Sequence, residues 1–189
     1  VDDDTPTVSE NAVVRLDDDA LDNGNPNGPG DNVDAANTTG TLGLSFGADG
    51  GSVEWLTQEG MPNFDYEIAD DGTTLLISQG DVIVITATLD PATGDYTVTQ
   101  NAAIQHTQGN AENNKEFTVK YLVTDGDGDK KMGELSINVD DDTPRVFENA
   151  VVRLDDDALD NGNPNGPGDN VDAANTTGTL GLSFGADGG

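Results

Sequence analysis

The chain has 189 residues, 37 Asp and Glu against 7 Lys and Arg, a formal net charge of -30 and no cysteine. Such a balance argues against nucleic acid or an anionic membrane surface as a partner, because like charges repel. The missing thiols exclude disulfide staples, thiolate metal sites and cysteine nucleophiles, and no apolar run reaches the ~18 residues of a membrane-spanning helix.

Taken in chain order, the signals are those of a β protein. VDDDTP opens the chain at 1–6. One helical turn is predicted around Asp17–Asp22, followed by a long loop over 22–38 rich in Asn, Gly and Pro. Leu42, Leu44 and Phe46 then alternate with smaller or polar residues, and Trp55 shares its parity with Val53, which points to a core position. Phe64, Tyr66 and Ile68 alternate with Asp65 and Glu67. VIVITATL at 82–89 is apolar on both parities and reads as a more buried strand. A second long loop covers 100–114, with a possible helical turn at Ala102–His106. Phe117, Val119, Tyr121 and Val123, then Leu135, Ile137 and Val139, complete the alternating set. Period two of this quality means strands with one buried face. Asp49-Gly50-Gly51, Asp71-Gly72, Gln79-Gly80 and DPATGD at 90–95 read as hairpin punctuation. The expected fold is all-β, an antiparallel β-sandwich. The high charge leans toward disorder, but the clustering of the carboxylates and the alternation of the apolar residues lean the other way.

Residues 1–51 recur at 139–189, a period of 138, and only two positions differ: Thr7 becomes Arg145 and Ser9 becomes Phe147. A unit of this length is an autonomous domain rather than a small solenoid repeat. We therefore read 1–138 as one complete repeat unit and 139–189 as the first third of the next, in a tandem array. The strands of the incomplete copy, Val151–Leu154 and Thr179–Phe184, are expected either to fray or to close a domain that is out of phase with the repeat.

Of the acidic residues 29 are Asp and 8 are Glu. Asp suits tight turns and oxygen cages, and calcium takes six to eight hard oxygens. Three clusters are candidates for Ca2+. The junction offers Asp2, Asp3, Asp4 and Glu10, and in the second copy Asp140, Asp141, Asp142 and Glu148, a set suited to bridging two domains. The turn Asp125-Gly126-Asp127-Gly128-Asp129 presents carboxylates at alternate positions; Lys130 and Lys131 weaken it, and a plain solvated turn stays open. If the flanking strands pair, this turn and the junction lie at opposite poles. The third cluster is LDDDALDNGNPNGPGDNVD at 16–34 and 154–172. Its Asn23, Asn25, Asn27, Gly28 and Asp34 follow EF-hand spacing without the leading Asp or the bidentate Glu. Asp17, Asp19 and Asp22, repeated as Asp155, Asp157 and Asp160, are its metal candidates, with a flexible acidic loop as the other reading.

VDDDTP, TGTLGLSFGADGG at 39–51 and VTDGDGDKKMGELSINV at 123–139 together resemble the long tandem repeats of giant type-I-secreted bacterial adhesins of the RTX class. The resemblance covers the whole unit. It implies an immunoglobulin-like or cadherin-like sandwich, secretion to the cell surface, calcium-stiffened repeats and an extender role in adhesion or biofilm. The acidic junction also resembles cadherin linkers, where an Asp-rich segment before Pro binds calcium between domains. The glycine-rich calcium nonapeptide of RTX proteins is absent here; it and the secretion signal are expected elsewhere in the full protein. The implied partners are neighbouring repeats of the same chain, with a host or surface ligand bound by other regions.

Catalysis is not expected. The single histidine, His106, reads as an ordinary surface residue in a mobile loop. No nucleophile elbow, phosphate loop or paired His ligands occur. Carboxylate pairs leave a glycosidase open by residue type, but clusters in glycine turns and linkers offer no organised cleft. The alternative to an extender is a module that binds a glycan or a protein ligand within the same kind of surface protein.

Overall fold

The computed structural model describes residues 4–26, 35–106, 113–163, 166–168, 174–186 and 188. The chain divides into two bodies, Val1–Thr143 with Phe184–Gly189, and Pro144–Ser183.

In the first body β1 (Thr7–Val8) leads to β2 (Val14–Asp17), a single 3-10 turn at Asp18–Ala20, β3 (Asn37–Thr41) and β4 (Leu44–Ser45). Then come β5 (Gly51–Trp55), β6 (Asp65–Ile68), β7 (Thr74–Gln79), β8 (Val82–Leu89) and β9 (Asp95–Gln100). The two long strands β10 (Lys115–Asp125) and β11 (Lys130–Asp140) close the body. A four-stranded sheet in the order β2-β11-β10-β5 faces a five-stranded sheet in the order β3-β9-β8-β7-β6, and β1 pairs with β4. The inward residues of both sheets form one apolar core. This is the β-sandwich that the alternation predicts, with one departure: β2 pairs parallel to β11, Val14 beside Ile137 and Asp17 beside Asp140.

The alternation holds best in β10 and β11, where Phe117, Val119, Tyr121, Val123, Leu135, Ile137 and Val139 are all fully buried. Trp55 is core, its indole N–H donating to the Thr73 carbonyl at 3.0 Å. The 82–89 run is buried along only part of its length, not throughout as its composition predicts. Val82 and Ile83 are exposed, whereas Val84 and Ile85 are both buried. The register with β7 shifts between Ile77 and Ser78, so a bulge turns two successive residues inward. Asp49-Gly50 is likewise not a hairpin turn, because β4 and β5 on either side of it belong to different sheets. No helix forms at Ala102–His106, and the 3-10 turn falls inside the segment expected to be helical.

Phe117 meets Phe64 edge to face at 4.9 Å, a contact that joins β10 to the segment leading into β6. Phe117→Ala is expected to cost about 3–5 kcal/mol, the range for deleting a buried aromatic ring. Urea unfolding measures it, and a loss below about 1 kcal/mol would mean that this core is not close-packed.

In the second body β12 (Arg145–Val146) pairs with β13 (Leu182–Ser183), repeating the pairing of β1 with β4 one period later. Residues 152–155, the copy of β2, form no strand. Leu154 is 65% exposed, whereas its equivalent Leu16 is 1% exposed. The reason is topological: β2 is held by β11, and this fragment of the repeat contains no copy of β11.

Candidate metal centres

Two acidic centres lie at opposite ends of the β10–β11 hairpin, which registers Lys115 with Val139 at one end and Thr124 with Lys130 at the other. Ten residues of strand set them about 30 Å apart.

The first centre forms where β2 and β11 end side by side. Their parallel pairing places Asp17 beside Asp140 and brings LDDDA against VDDDTP, two segments the sequence keeps more than a hundred residues apart. Asp17, Asp18, Asp19, Asp140, Asp141 and Asp142 are all buried there, with Thr143, Asn25 and Gln100. The Asp17 carboxylate caps the 3-10 turn by accepting from the Asp19 amide at 2.8 Å. Asp18 accepts from the Gln100 side-chain amide and from the Ile104 backbone at 3.1 Å. Asp140 accepts from the Asn114 side chain. Asp142 accepts from the Asn25 amide at 3.2 Å and the Ala186 amide at 2.7 Å. The Asn25 side chain donates to the Thr143 carbonyl at 3.0 Å.

Two glycines make these approaches possible. A Cβ on Gly24 would lie 2.1 Å from the Asp19 carbonyl oxygen, and one on Gly185, at φ +94, would lie 2.5 Å from an Asp142 carboxylate oxygen. Gly47 repeats the second arrangement against Asp4, whose carboxylate accepts from the Ala48 amide at 3.0 Å. The Gly-Ala-Asp-Gly phrase is thus a carboxylate-holding loop.

His106 is not a surface residue. Its side chain is 3% exposed, with Nε2 at 3.3 Å from Asp18 and 4.0 Å from Asp141. Nδ1 meets the Asn113 carbonyl at 2.5 Å. Burial pulls the imidazole down, but the Asp18 bond, the charges of Asp141 and Asp18 and the Asn113 carbonyl outweigh it and hold it above its ordinary 6.5. Burial, with the charge of Asp18, holds Asp141 above the usual carboxylate value, against the pull of His106 and the Asn113 and Asp142 amides.

Both shifts make the folded state take up protons more readily than the unfolded one. The His106 contribution to stability is full below about 6.5 and is lost as pH rises through the raised value. Ionised Asp141 costs stability, a cost relieved as pH falls through its own raised value. Asp71 and Asp95, held low by threonine hydrogen bonds, act in the opposite sense, and only as pH drops below about 4. In chelator the protein should therefore melt higher at about pH 6 than at about pH 8, and His106→Gln should flatten that slope. A native melting point that rises, or stays constant, from about pH 6 to about pH 8 contradicts this account.

The second centre is the β10–β11 turn. Asp125, Asp127 and Asp129 bring one carboxylate oxygen each within 4.8 Å of one another. Asp125 is buried; one of its oxygens accepts from the Gly128 and Asp129 amides at 3.0 and 2.7 Å, and the other is buried without a hydrogen bond.

The remaining candidates stand apart. Asp2, Asp3, Asn27, Gly28 and Asp34 lie outside the described residues. Glu10 and Asp22 are exposed. Glu148 and Asp160 are exposed in the second body, where Asp155 and Asp157 are half-buried. The structure groups the junction carboxylates with Asp17, Asp18 and Asp19, where sequence spacing suggested Glu148. Spacing also passed over Asp18, Gln100 and His106, and it set Asn25 in an EF-hand pattern rather than beside Thr143. Parity was the available signal for two of them: Asp18 continues Val14 and Leu16, and Gln100 continues Tyr96 and Val98.

Among the described residues no helix is long and apolar enough to cross a membrane. A family model described as a domain of unknown function (DUF5801) matches residues 13–138, from the start of β2 into β11. No curated protein and no solved structure matches the chain.

Proposed function

We propose that this chain, which belongs to the DUF5801 family, is a calcium-binding structural extender repeat of a secreted bacterial cell-surface adhesin, serving attachment or biofilm. The observation that carries this reading is the convergence of six buried aspartates at the pole where the chain leaves the first body through Thr143 and Pro144. His106 supplies at most one positive charge to that cluster. Ionised carboxylates held together out of water repel one another unless a cation joins them.

The donor chemistry suits a hard divalent cation. The donors are oxygens, and one Asp142 carboxylate oxygen and the Gln100 side-chain oxygen are buried without a hydrogen bond. Asp17, Asp19, Asp140, Asp141 and Asp142 would hold calcium at the junction, and Asp125, Asp127 and Asp129 would hold it at the far turn. Bound calcium supplies positive charge and coordination by oxygen, no chemistry on a substrate, and the proposed role is structural.

The mechanical consequence follows from the same side chains. Asp142 holds both Asn25 and Ala186, the second of which belongs to the next copy of the repeat. Pro144 limits one further torsion. A junction stiffened by a bound cation would make reach grow linearly with the number of repeats, whereas that of a flexible one grows only as the square root. The partners are then neighbouring repeats, and a host or surface ligand is met by other regions of the protein. Small-angle scattering on a protein of two complete units tests the reading. The maximum dimension should be longer and better defined in calcium than in chelator. A profile indifferent to chelation would refute stiffening and leave the sandwich intact.

A further inference from the structure

We propose that His106, Asp18 and Asp141 form a site for a divalent first-row transition ion of the zinc class, distinct in chemistry from the calcium sites, with Asp141 shared between it and the proposed junction site. The three side chains bring one ligand atom each within 4.8 Å of one another. They come from three separate stretches: the turn after β2, the segment after β9 and the end of β11.

The histidine is what separates this site from an acidic cluster. Calcium takes oxygen ligands, whereas imidazole nitrogen suits zinc and its neighbours in the first row. Nδ1 of His106 lies against the Asn113 carbonyl, an acceptor, so Nδ1 carries the proton of that bond. Metal-binding histidines are oriented in just this way, by donating the other ring N–H to a carbonyl or carboxylate. Nε2 is thereby buried and turned toward Asp18 and Asp141, 3.3 and 4.0 Å away. In that tautomer its lone pair faces two carboxylates, an arrangement that calls for either a proton or a metal ion between them. Its 3.3 Å separation from Asp18 matches the ligand-to-ligand edge, about 3.3 Å, of a tetrahedral site with bonds of about 2.0 Å.

A second buried group points to the same place. Gln100 is 3% exposed and donates its amide to Asp18, while its side-chain oxygen is buried with no hydrogen bond. It is available as a fourth oxygen ligand or as the acceptor for a metal-bound water. Binding would exchange any proton on Nε2 for the ion and would tie the segment after β9 to the turn after β2 and to the end of β11.

The chain has one histidine, so its imidazole nitrogen resonances report this site alone. Zinc chloride is titrated into the calcium-free protein, followed by nitrogen NMR of the imidazole and by calorimetry. One equivalent should move the Nε2 resonance to a metal-bound position while Nδ1 stays protonated, and calcium chloride should not produce that shift. His106→Gln removes a direct ligand and should weaken zinc binding at this site by at least about 100-fold, because even an outer-shell partner is worth about 10–100-fold. The same variant should keep the calcium-dependent rise in melting temperature, which separates failure here from failure of the calcium reading. Zinc that leaves the native imidazole resonances unmoved overturns the site, whatever the variant does. So does a folded His106→Gln protein that binds zinc as tightly as the native chain.

Discussion

In about 10 mM calcium the protein should melt well above its melting temperature in EDTA. Calcium sites of extracellular modules bind with Kd of roughly 0.1–1 mM, the range expected if the proposed function holds. An ion that binds only the folded state at a hundredfold excess over Kd adds about 2.7 kcal/mol. For a domain of this size each kcal/mol raises Tm by roughly 2–4 °C, so one saturated site is worth roughly 5–11 °C. Two centres, at the junction and at the Asp125 turn, make the upper end the expected result. Screening of a net charge of -30 by salt also stabilises, so sodium chloride at matched ionic strength is the control. Equal melting temperatures in calcium, in chelator and in the sodium control would sink the calcium assignment.

Asp141→Asn should reverse sign with conditions. In chelator the native carboxylate is held above its ordinary value chiefly by burial, so its ionised form costs folding stability at neutral pH. The neutral amide removes that cost, and the variant should melt above the native protein. In calcium the variant lacks one oxygen charge of the junction site and should lose most of that site's increment of about 2.7 kcal/mol, so it melts below the native protein. Paired thermal melts in the two buffers read the crossing directly. A variant below native in both buffers would mean that Asp141 is a purely structural acceptor for the Asn113 amide. A variant equal to native in calcium would remove Asp141 from the ligand set.

The structure also narrows what replacing the junction aspartates can do. Asp140, Asp141 and Asp142 read as linker residues in the sequence, and substituting all three would then leave each sandwich untouched. They are instead buried and bonded to Asn25, Asn113, Asn114 and Ala186. Removing them disturbs the pole of the sandwich as well as the joint. Single substitutions are therefore the informative ones.

The duplicated segment separates local from tertiary causes within one chain. LDDDA forms the same 3-10 turn in both copies, with Asp17 and Asp155 each capping the amide two residues on, at 2.8 and 2.9 Å. Asn23 and Asn161 both take the left-handed conformation, at φ 74 and 71. These features need only neighbours in sequence: a short carboxylate that reaches its own backbone, and an Asn that tolerates positive φ. Sequence alone therefore sufficed for the turns at Asp71-Gly72, Gln79-Gly80 and 90–95, for the alternation of β10 and β11 and for the far Asp125 turn, all of which rest on residues close together in the chain. Burial of the aspartates did not follow from it. Asp17, Asp18 and Asp19 are buried only in the copy that has β11 beside it, and in the other copy Asp155 and Asp157 are half-buried and Asp156 is exposed. The parallel pairing of β2 with β11 joins residues 123 positions apart, and no periodicity within either segment encodes its partner. That pairing, and the packing of the segment after β9 that carries His106 to Asp18, decided which carboxylates meet.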